Sequence, residues 1–97
     1  MTAIRKVLEF EWDKGNIDKP KKHGVTIDEA EEAFFDDNKA VFNDWQHSKK
    51  EKRATLLGKT RSERLLNITF TIRRKKIRII TARDINKKEV QLYEKTA

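Results

Sequence analysis

Apolar and polar side chains alternate most strictly in the second half of the chain, in the segment "RLLNITFTI". One set of alternate positions holds Leu66, Ile68, Phe70 and Ile72. The other set holds Leu65, Asn67, Thr69 and Thr71. Since successive side chains of a strand point to opposite faces, the pattern predicts a strand with one buried face. We expect Ile68 and Phe70 to be buried, and Thr69 and Thr71 not to be.

Two further segments on either side of this one are typical of strands. "RATLLGKT" precedes it, with Gly58 near its end, and "IRIITA" follows it after the basic hairpin loop "RRKK". Together the three predict an antiparallel meander. "IRKVLEFEW", residues 4–12, also alternates, most cleanly over residues 6–11, and predicts a separate first strand whose buried face holds Ile4, Leu8, Phe10 and Trp12. "AVFNDW" is interpreted as a short extended piece, followed by a loop.

Helical signals lie between the first strand and the meander, and again at the end of the chain. Thr26 and Glu29 have the spacing of a capping box, and the stripe after them consists of Ile27, Ala30, Ala33 and Phe34. A shorter helical segment, with Asp13 as its cap, is limited by Pro20 and is expected to stop at Gly24. The tail from Ile85 predicts a last helix capped by Asp84. The element order is therefore β-α-α-β-β-β-α, an α+β fold.

Composition sets the class of protein. A chain of 97 residues holds one thin core, so we expect a single domain over residues 1–97. Charged residues are 40% and apolar residues 36%, but the apolar ones come in periodic blocks, which favours folding. The sequence has no Cys, which excludes disulfides and thiolate chemistry. With no apolar run long enough to cross a bilayer and no signal peptide, we expect a cytoplasmic protein without membrane contact.

Charge is divided unevenly along the chain. Residues 1–45 carry 7 Lys/Arg and 11 Asp/Glu, a net charge of −4, whereas residues 46–97 carry 16 and 5, a net charge of +11. The strand arginines are Arg53, Arg64, Arg73, Arg78 and Arg83. Arginines fixed on a rigid sheet suit a phosphodiester backbone. The alternative is that each one pairs with the acidic half of the chain.

Other candidate chemistry is sparse. The two histidines, His23 and His47, lie 24 positions apart, and no third ligand stands at a spacing typical of a metal site. Glycine-rich phosphate loops and nucleophile motifs are absent. Trp12 is either a core residue at a strand end or a platform for base stacking. His23 is either a helix-end cap or an acid–base group, and Glu51 is either a surface partner of a lysine or a base.

Several short motifs in sequence order resemble the BrnT-type ribonuclease toxins of type II toxin–antitoxin systems. They are "FEWD", "KHGV", "AFFDD", "LLGKT", "ITFTIR" and "IRIITARD", and the resemblance covers roughly residues 7–95. It implies a RelE-like fold, a small antiparallel sheet with helices on one face. It implies an endoribonuclease that needs no metal or other cofactor. It also implies a cognate antitoxin with a DNA-binding domain, expected to be ribbon-helix-helix, through which alone operator DNA is bound.

The resemblance, together with the residue chemistry, gives two sets of candidate site residues. The catalytic candidates are His23, Glu51, Arg53, Arg64 and Arg83. The RNA-binding candidates are Trp12, Lys14, Lys19, Lys22, Arg78 and Tyr93. The compact segment after Trp12 leaves open whether Lys14 or Lys19 faces the site. Glu63 stands where relatives often have a glycine, so that turn is expected to be reshaped.

Metal-independent cleavage uses the RNA's own 2′-hydroxyl as the nucleophile, which makes DNA a non-substrate. His23 suits the acid or base role because its ordinary pKa is near neutrality, and Glu51 is the second candidate. The arginines are expected to stabilise charge in the transition state. The rival interpretation is a non-catalytic module that uses the same basic surface to bind nucleic acid or an antitoxin.

Overall fold

The structure, a computed structural model, describes residues 8–44 and 52–96. Its centre is a four-stranded antiparallel sheet in the order β1-β2-β3-β4. The strands are β1 (Ala40–Asp44), β2 (Arg53–Lys59), β3 (Leu65–Arg73) and β4 (Lys76–Asp84). The two α-helices are α1 (Ile27–Glu32) and α2 (Lys87–Thr96), and short 3₁₀ helices cover Pro20–His23 and Ala33–Phe35. The prediction of an α+β fold with an antiparallel meander is confirmed.

The meander contains four strands, one more than the three that were predicted. The short extended piece is β1, which pairs with β2 along its whole length, from Ala40 opposite Leu57 to Asp44 opposite Arg53. The five residues of β1 end in two polar residues and alternate too little to predict a strand from sequence. In the fold, β2 supplies the hydrogen-bond partners of β1.

The predicted first strand is reduced to a single parallel bridge between Phe10 and Ile77. The amide of Glu11 donates to the carbonyl of Ile77 at 2.8 Å, and the amide of Ile77 donates to the carbonyl of Glu9 at 2.8 Å. The predicted orientation is confirmed, because Leu8, Phe10 and Trp12 all pack against the main core. Residues 1–7 lie outside the described part of the chain.

Alternation in β3 predicts most of its burial. Ile68 and Phe70 are buried and Thr69 is partly exposed, as expected. The expectation for Thr71 is wrong, since its side chain is only 3% exposed. Its hydroxyl donates to the carbonyl of Lys52 at 2.7 Å. Its neighbours across the sheet are the long side chains of Arg53 and Arg78, which shield it.

The main core lies between α1 and one face of the sheet. Both hydrogen bonds of the Thr26–Glu29 capping box are formed, so the predicted start of α1 is confirmed. The sheet side of this core includes Leu56, Leu66, Ile68, Phe70, Ile79 and Ala82. Gly58 lets the helix approach closely, because a Cβ there would stand 2.5 Å from the carbonyl oxygen of Ala33. We call this side of the sheet the covered face.

A second, smaller core places α2 on the opposite side of the sheet, where Tyr93 packs with Ala40 and Leu57. The prediction of helices on one face is therefore wrong. The loose apolar spacing of the tail does not specify a face, whereas the neighbours of Tyr93 in the fold do. None of the helices in residues 8–44 and 52–96 has the length and apolar content to span a membrane.

The cap of α2 also differs from the prediction. Asn86, not Asp84, begins this helix, because Asn86 and Glu89 exchange hydrogen bonds of 2.9 and 3.0 Å between side chain and backbone. Asp84 is still within β4 and has a charged partner instead. Because the Asp84 side chain binds Arg64, it is not available to cap α2. Asn86, the next residue with a short polar side chain, caps the helix instead.

Candidate active site

Arg64 is the most highly connected of the predicted site residues. It stands directly before β3, and its Nε and Nη2 donate to the two carboxylate oxygens of Asp84 at 2.6 and 3.0 Å. Its Nη1 donates to the carbonyl of Gly24 at 2.9 Å and to Glu29 at 3.2 Å. The hydrogen bonds from Arg64 hold the pKa of Asp84 below its ordinary value. Arg64 thus joins β4, α1 and the end of the first 3₁₀ helix.

His23 is brought to this cluster by the backbone. It is the last residue of the 3₁₀ helix that starts at Pro20, and Gly24 follows as the predicted stop with φ of 69°. That positive φ is readily adopted only by glycine, and it turns the Gly24 carbonyl toward Arg64. The imidazole of His23 is exposed one residue away. Arg64 thus binds the backbone of the residue that follows His23, which lies 41 positions before Arg64 in the sequence.

Arg83 lies at the same end but on the other side of the sheet. Its Nη1 and Nη2 donate to the two carboxylate oxygens of Glu89 at 3.0 and 2.8 Å, and Nη1 also donates to the backbone carbonyl of Asp84 at 3.0 Å. Asn67 donates to Glu89 at 2.7 Å. Burial raises the pKa of Glu89, but hydrogen bonds from Arg83, Asn86 and Asn67 outweigh it, so the net pKa is lowered. Glu89 is thus held as a carboxylate.

The sheet surface next to Arg83 is a shallow groove of about 400 Å³. Its floor carries Thr55, Thr69 and Thr81, which lie side by side on β2, β3 and β4. Phe42 and Leu92 stand at its sides, 38% and 45% exposed. We call this side of the sheet the open face. It offers hydroxyl groups, one guanidinium and partly exposed apolar surface, a combination that suits a sugar-phosphate chain with its bases.

Arg53 and Arg78 lie on the open face toward the opposite end of the sheet, beyond the groove. They flank Thr71 on its two sides, four rows along the strands from the Asn67–Arg83 row, a distance of roughly 13 Å at the rise of a strand. Arg78 is paired with Asp13 at 2.8 Å and with Glu11 at 3.0 Å. Hydrogen bonds from Arg78 and from the amide of Gly15 lower the pKa of Asp13. The alternative of pairing with the acidic half thus applies to Arg78 and, through Glu29, to Arg64, whereas Arg83 pairs with Glu89 of the basic half.

Trp12 and Tyr93 lie away from the groove. The indole Nε1 of Trp12 donates to Glu31 at 2.8 Å, and its ring packs on the main core at the covered face. Tyr93 is 6% exposed, and its hydroxyl donates to Asp36 at 2.6 Å. Burial, followed by that hydrogen bond to Asp36, raises the pKa of Tyr93 to about 12. Both aromatic rings occupy positions that support the fold.

The three candidate lysines divide between two places. Lys14 and Lys19 lie in the turns before Pro20, on the stretch that Asp13 and Arg78 hold to the sheet, and Lys19 is the less exposed of the two. Lys22 is exposed beside His23. Lys22 is therefore the candidate nearest to the His23–Arg64 cluster along the chain. Glu51, the second candidate base, lies outside the described residues.

Asn16, which the sequence analysis did not single out, anchors the segment between Trp12 and His23. It is 2% exposed, and its side-chain Nδ2 donates to the backbone carbonyls of Glu11 at 2.9 Å and Ile79 at 3.0 Å. Its side-chain oxygen accepts from the amide of Asp13 at 2.8 Å. A buried amide with both groups satisfied fixes the path of this segment.

Glu89 and Asp84 were also missed as partners of the candidate arginines. Asn86 and Glu89 have the same capping-box spacing as Thr26 and Glu29. This spacing could have placed Glu89 at a helix start close to the strand residue Arg83. Nothing local in the sequence marks Asp84 as the partner of Arg64. In residues 8–44 and 52–96, no three His, Asp or Glu side chains are grouped so as to hold a metal ion.

The comparison with protein families bears on this arrangement. The sequence model of the ribonuclease toxin BrnT of type II toxin–antitoxin systems matches residues 12–89. The chain belongs to the BrnT family. The matched range runs from Trp12 to Glu89 and contains His23, Arg64 and Arg83. A search of the curated proteins gave no match. The resemblance inferred from the motifs is thus confirmed, and a BrnT toxin implies an RNA substrate and an antitoxin.

Proposed function

We propose that this BrnT protein is an endoribonuclease that cleaves RNA without a metal ion or other cofactor, by attack of the 2′-hydroxyl on the adjacent phosphate. The observation that carries the proposal is the family match over residues 12–89, which spans the described cluster at one end of the sheet. The open face supports it, since hydroxyls and a guanidinium line its shallow groove and can contact the sugars and phosphates of an RNA chain. A 2′-hydroxyl nucleophile also accounts for discrimination against DNA.

In the proposed reaction His23 exchanges protons with the reacting oxygens. Removal of the proton from the 2′-oxygen and protonation of the leaving 5′-oxygen both need a group with a pKa near neutrality. The exposed position of His23 lets a substrate reach it, and Gly24 connects it to Arg64. Glu51 remains the second candidate base.

The guanidinium groups supply positive charge to the transition state in this proposal. Arg83 reaches the groove and is held in place by the fork of two hydrogen bonds to Glu89. Arg64 is bound on three sides, by Asp84, Gly24 and Glu29, and so its larger part is to position the His23 segment. Arg53 and Arg78 would contact phosphates further along the RNA chain.

We further propose a RelE-like relationship for the sheet and a cognate antitoxin as the regulatory partner. The antitoxin would carry the DNA-binding domain, of the ribbon-helix-helix kind, so operator DNA would be reached through it alone. The toxin itself would act on RNA in the cytoplasm and inhibit growth until the antitoxin binds. Trp12, Tyr93 and the three candidate lysines are proposed to act less directly, by shaping or extending the RNA-binding surface.

Single substitutions test the assignment. His23→Ala should lower the cleavage rate about 10²–10⁴-fold, as expected for a lost acid or base. Arg83→Ala should lower it about 10²–10³-fold through lost charge stabilisation. Lys75→Ala in the turn between β3 and β4 is the matched control for a lost positive charge and should cleave at nearly the wild-type rate. Cleavage of a labelled RNA is measured together with the melting temperature of each variant.

A second function class predicts a different result. If the protein only binds nucleic acid, wild-type and His23→Ala protein would bind RNA equally and neither would cleave it. That result, with folded protein, would contradict the proposal.

A further inference from the structure

One row of side chains on the open face crosses all four strands of the sheet. Phe42 on β1 lies opposite Thr55 on β2, which lies opposite Thr69 on β3, and Thr69 lies opposite Thr81 on β4. All four residues line the shallow groove. Since neighbouring strands lie about 4.8 Å apart, the row is roughly 14 Å long. An aromatic ring thus stands in line with three hydroxyl groups.

The three hydroxyls of this row are open to a ligand. The next threonine of β3, Thr71, is different, because its hydroxyl donates to the carbonyl of Lys52 at 2.7 Å. In residues 8–44 and 52–96, the hydroxyls of Thr55, Thr69 and Thr81 have no hydrogen-bonding partner, and no buried polar side-chain atom is left unpaired. These hydroxyls therefore contact solvent. Such a row can donate to phosphate oxygens and accept from ribose hydroxyls.

Phe42 occupies the end of the row at the edge of the sheet. Among the aromatic residues in the described part of the chain, Phe35 and Phe42 are the two that are more than a third exposed, at 39% and 38%. Phe35 follows α1, and the centroid of its ring lies 6.4 Å from that of Phe10. Phe42 is the one of the two that lines the groove. An exposed aromatic ring beside a row of hydroxyls suits a base and the sugar-phosphate chain that carries it.

We propose that Phe42 stacks on a base of the substrate, and that a single RNA strand crosses the sheet along the threonine row. The strand is single because a base must be unpaired and unstacked to lie on a side-chain ring. The role of Phe42 rests on the proposed function, since it takes RNA as the substrate that the BrnT family implies. Phe42 thereby performs the stacking that the sequence analysis considered for Trp12, whose ring packs on the main core.

The stacked base lies apart from the reacting phosphate. Arg83 is on β4, at the far side of the sheet from β1 and Phe42, across a width of roughly 14 Å. The base on Phe42 therefore belongs to another nucleotide than the one whose phosphate Arg83 contacts. A contact of this kind is made equally before and during the reaction, so its loss should raise KM and leave kcat unchanged. Phe42 is thus a binding residue of the site.

Binding is measured by fluorescence anisotropy with the full-length protein and a fluorescein-labelled, single-stranded 2′-fluoro RNA of about eight nucleotides. This probe has no 2′-hydroxyl and cannot undergo the proposed cleavage. Phe42→Ala should weaken its binding about fivefold or more. Phe42→Leu, which keeps an apolar side chain but no flat ring, should weaken it similarly, and Phe42→Trp should bind at least as tightly as wild type. Phe35→Ala, the control matched in exposure, should bind within about twofold of wild type.

An abasic oligonucleotide of the same length separates stacking from other effects. Wild-type protein and Phe42→Ala should bind it equally, because it offers no base to the ring. An equal loss on both probes would show that the substitution disturbs the groove and would contradict stacking. Binding of the 2′-fluoro RNA by Phe42→Leu as tightly as by wild type would also overturn the proposal, as would a dimer that Phe42→Ala dissociates in sedimentation. Absence of RNA cleavage by wild-type protein, with base-dependent binding that requires Phe42, would contradict the proposed function alone.

Discussion

The covered face and the open face of the same sheet are built from neighbouring residues with opposite uses. The covered face holds Leu56, Ile68 and Phe70 under α1. The open face holds Thr55, Thr69 and Thr81, with arginines at both ends. Because side chains alternate along each strand, one short sequence contributes to both faces. The covered face carries the main core, and the part of the open face that α2 does not cover carries polar and charged side chains.

The arginines show how the open face tolerates its charge. Arg78 and Arg83 are each held by carboxylates that come from outside the meander, Asp13 from the first segment and Glu89 from α2. Such pairs fix the guanidinium groups in place before a substrate arrives. They also mean that a phosphate must compete with, or bind beside, an internal carboxylate.

The largest expected effect on stability lies on the covered face. Phe70→Ala should lower the free energy of unfolding by about 3–5 kcal/mol, because it removes a buried ring that packs edge to face on Phe34. Thr69→Ala, one residue away on the open face, should change it by about 0.5 kcal/mol or less. Urea denaturation of both variants measures the difference. Equal losses of unfolding free energy in the two variants would show that the open face contributes to stability as much as the covered face.

Acid should affect the charged network before it affects the apolar core. The pKa is lowered in the folded state for five carboxyl groups: Asp13, Glu29, Asp36, Asp84 and Glu89. Groups with a lowered folded pKa stabilise the fold above their unfolded pKa of about 4, and this contribution is lost as pH falls through the folded pKa. The free energy of unfolding should therefore fall as the pH drops below about 4.

Glu89→Gln sharpens this test. The free energy of unfolding of this variant should fall less steeply as the pH drops, because one of the carboxyl groups with a lowered pKa is gone. Glu94→Gln, an exposed residue of the same helix, is the matched control. A stability profile that stays flat down to about pH 3 in the wild type would contradict the network's role.

The smallest expected effect is at the turn before β3. Glu63 has a φ of 67°, a left-handed conformation that costs a non-glycine residue about 1 kcal/mol. Glu63→Gly should therefore raise the free energy of unfolding by about that amount and leave RNA cleavage unchanged. Thermal unfolding measures it, with Glu94→Gly, in a helix, expected to lose stability instead. Destabilisation by Glu63→Gly would mean that the turn is not strained.

Much of the fold follows from local sequence signals. The alternation of residues 64–72 predicts β3, and the Thr26–Glu29 spacing predicts the start of α1, because both depend on neighbours a few positions away. The face covered by α2, the burial of Thr71 and the extent of the first strand depend on contacts between distant segments. The same holds for the site. His23 and Arg64 are suggested by residue type, but the hydrogen bonds of Arg64 to Asp84 and to Gly24, the neighbour of His23, are visible only in three dimensions.

The most direct test of the central claim is the chemistry of the RNA ends. Purified wild-type protein is incubated with RNA in excess EDTA, and the products are analysed for their terminal phosphates. Attack by the 2′-hydroxyl predicts cleavage that persists in EDTA, spares DNA of the same sequence and yields 2′,3′-cyclic phosphate or 3′-phosphate ends. Loss of cleavage on chelation, or products with 5′-phosphate ends, would show that water activated by a metal ion performs the reaction and would contradict the account.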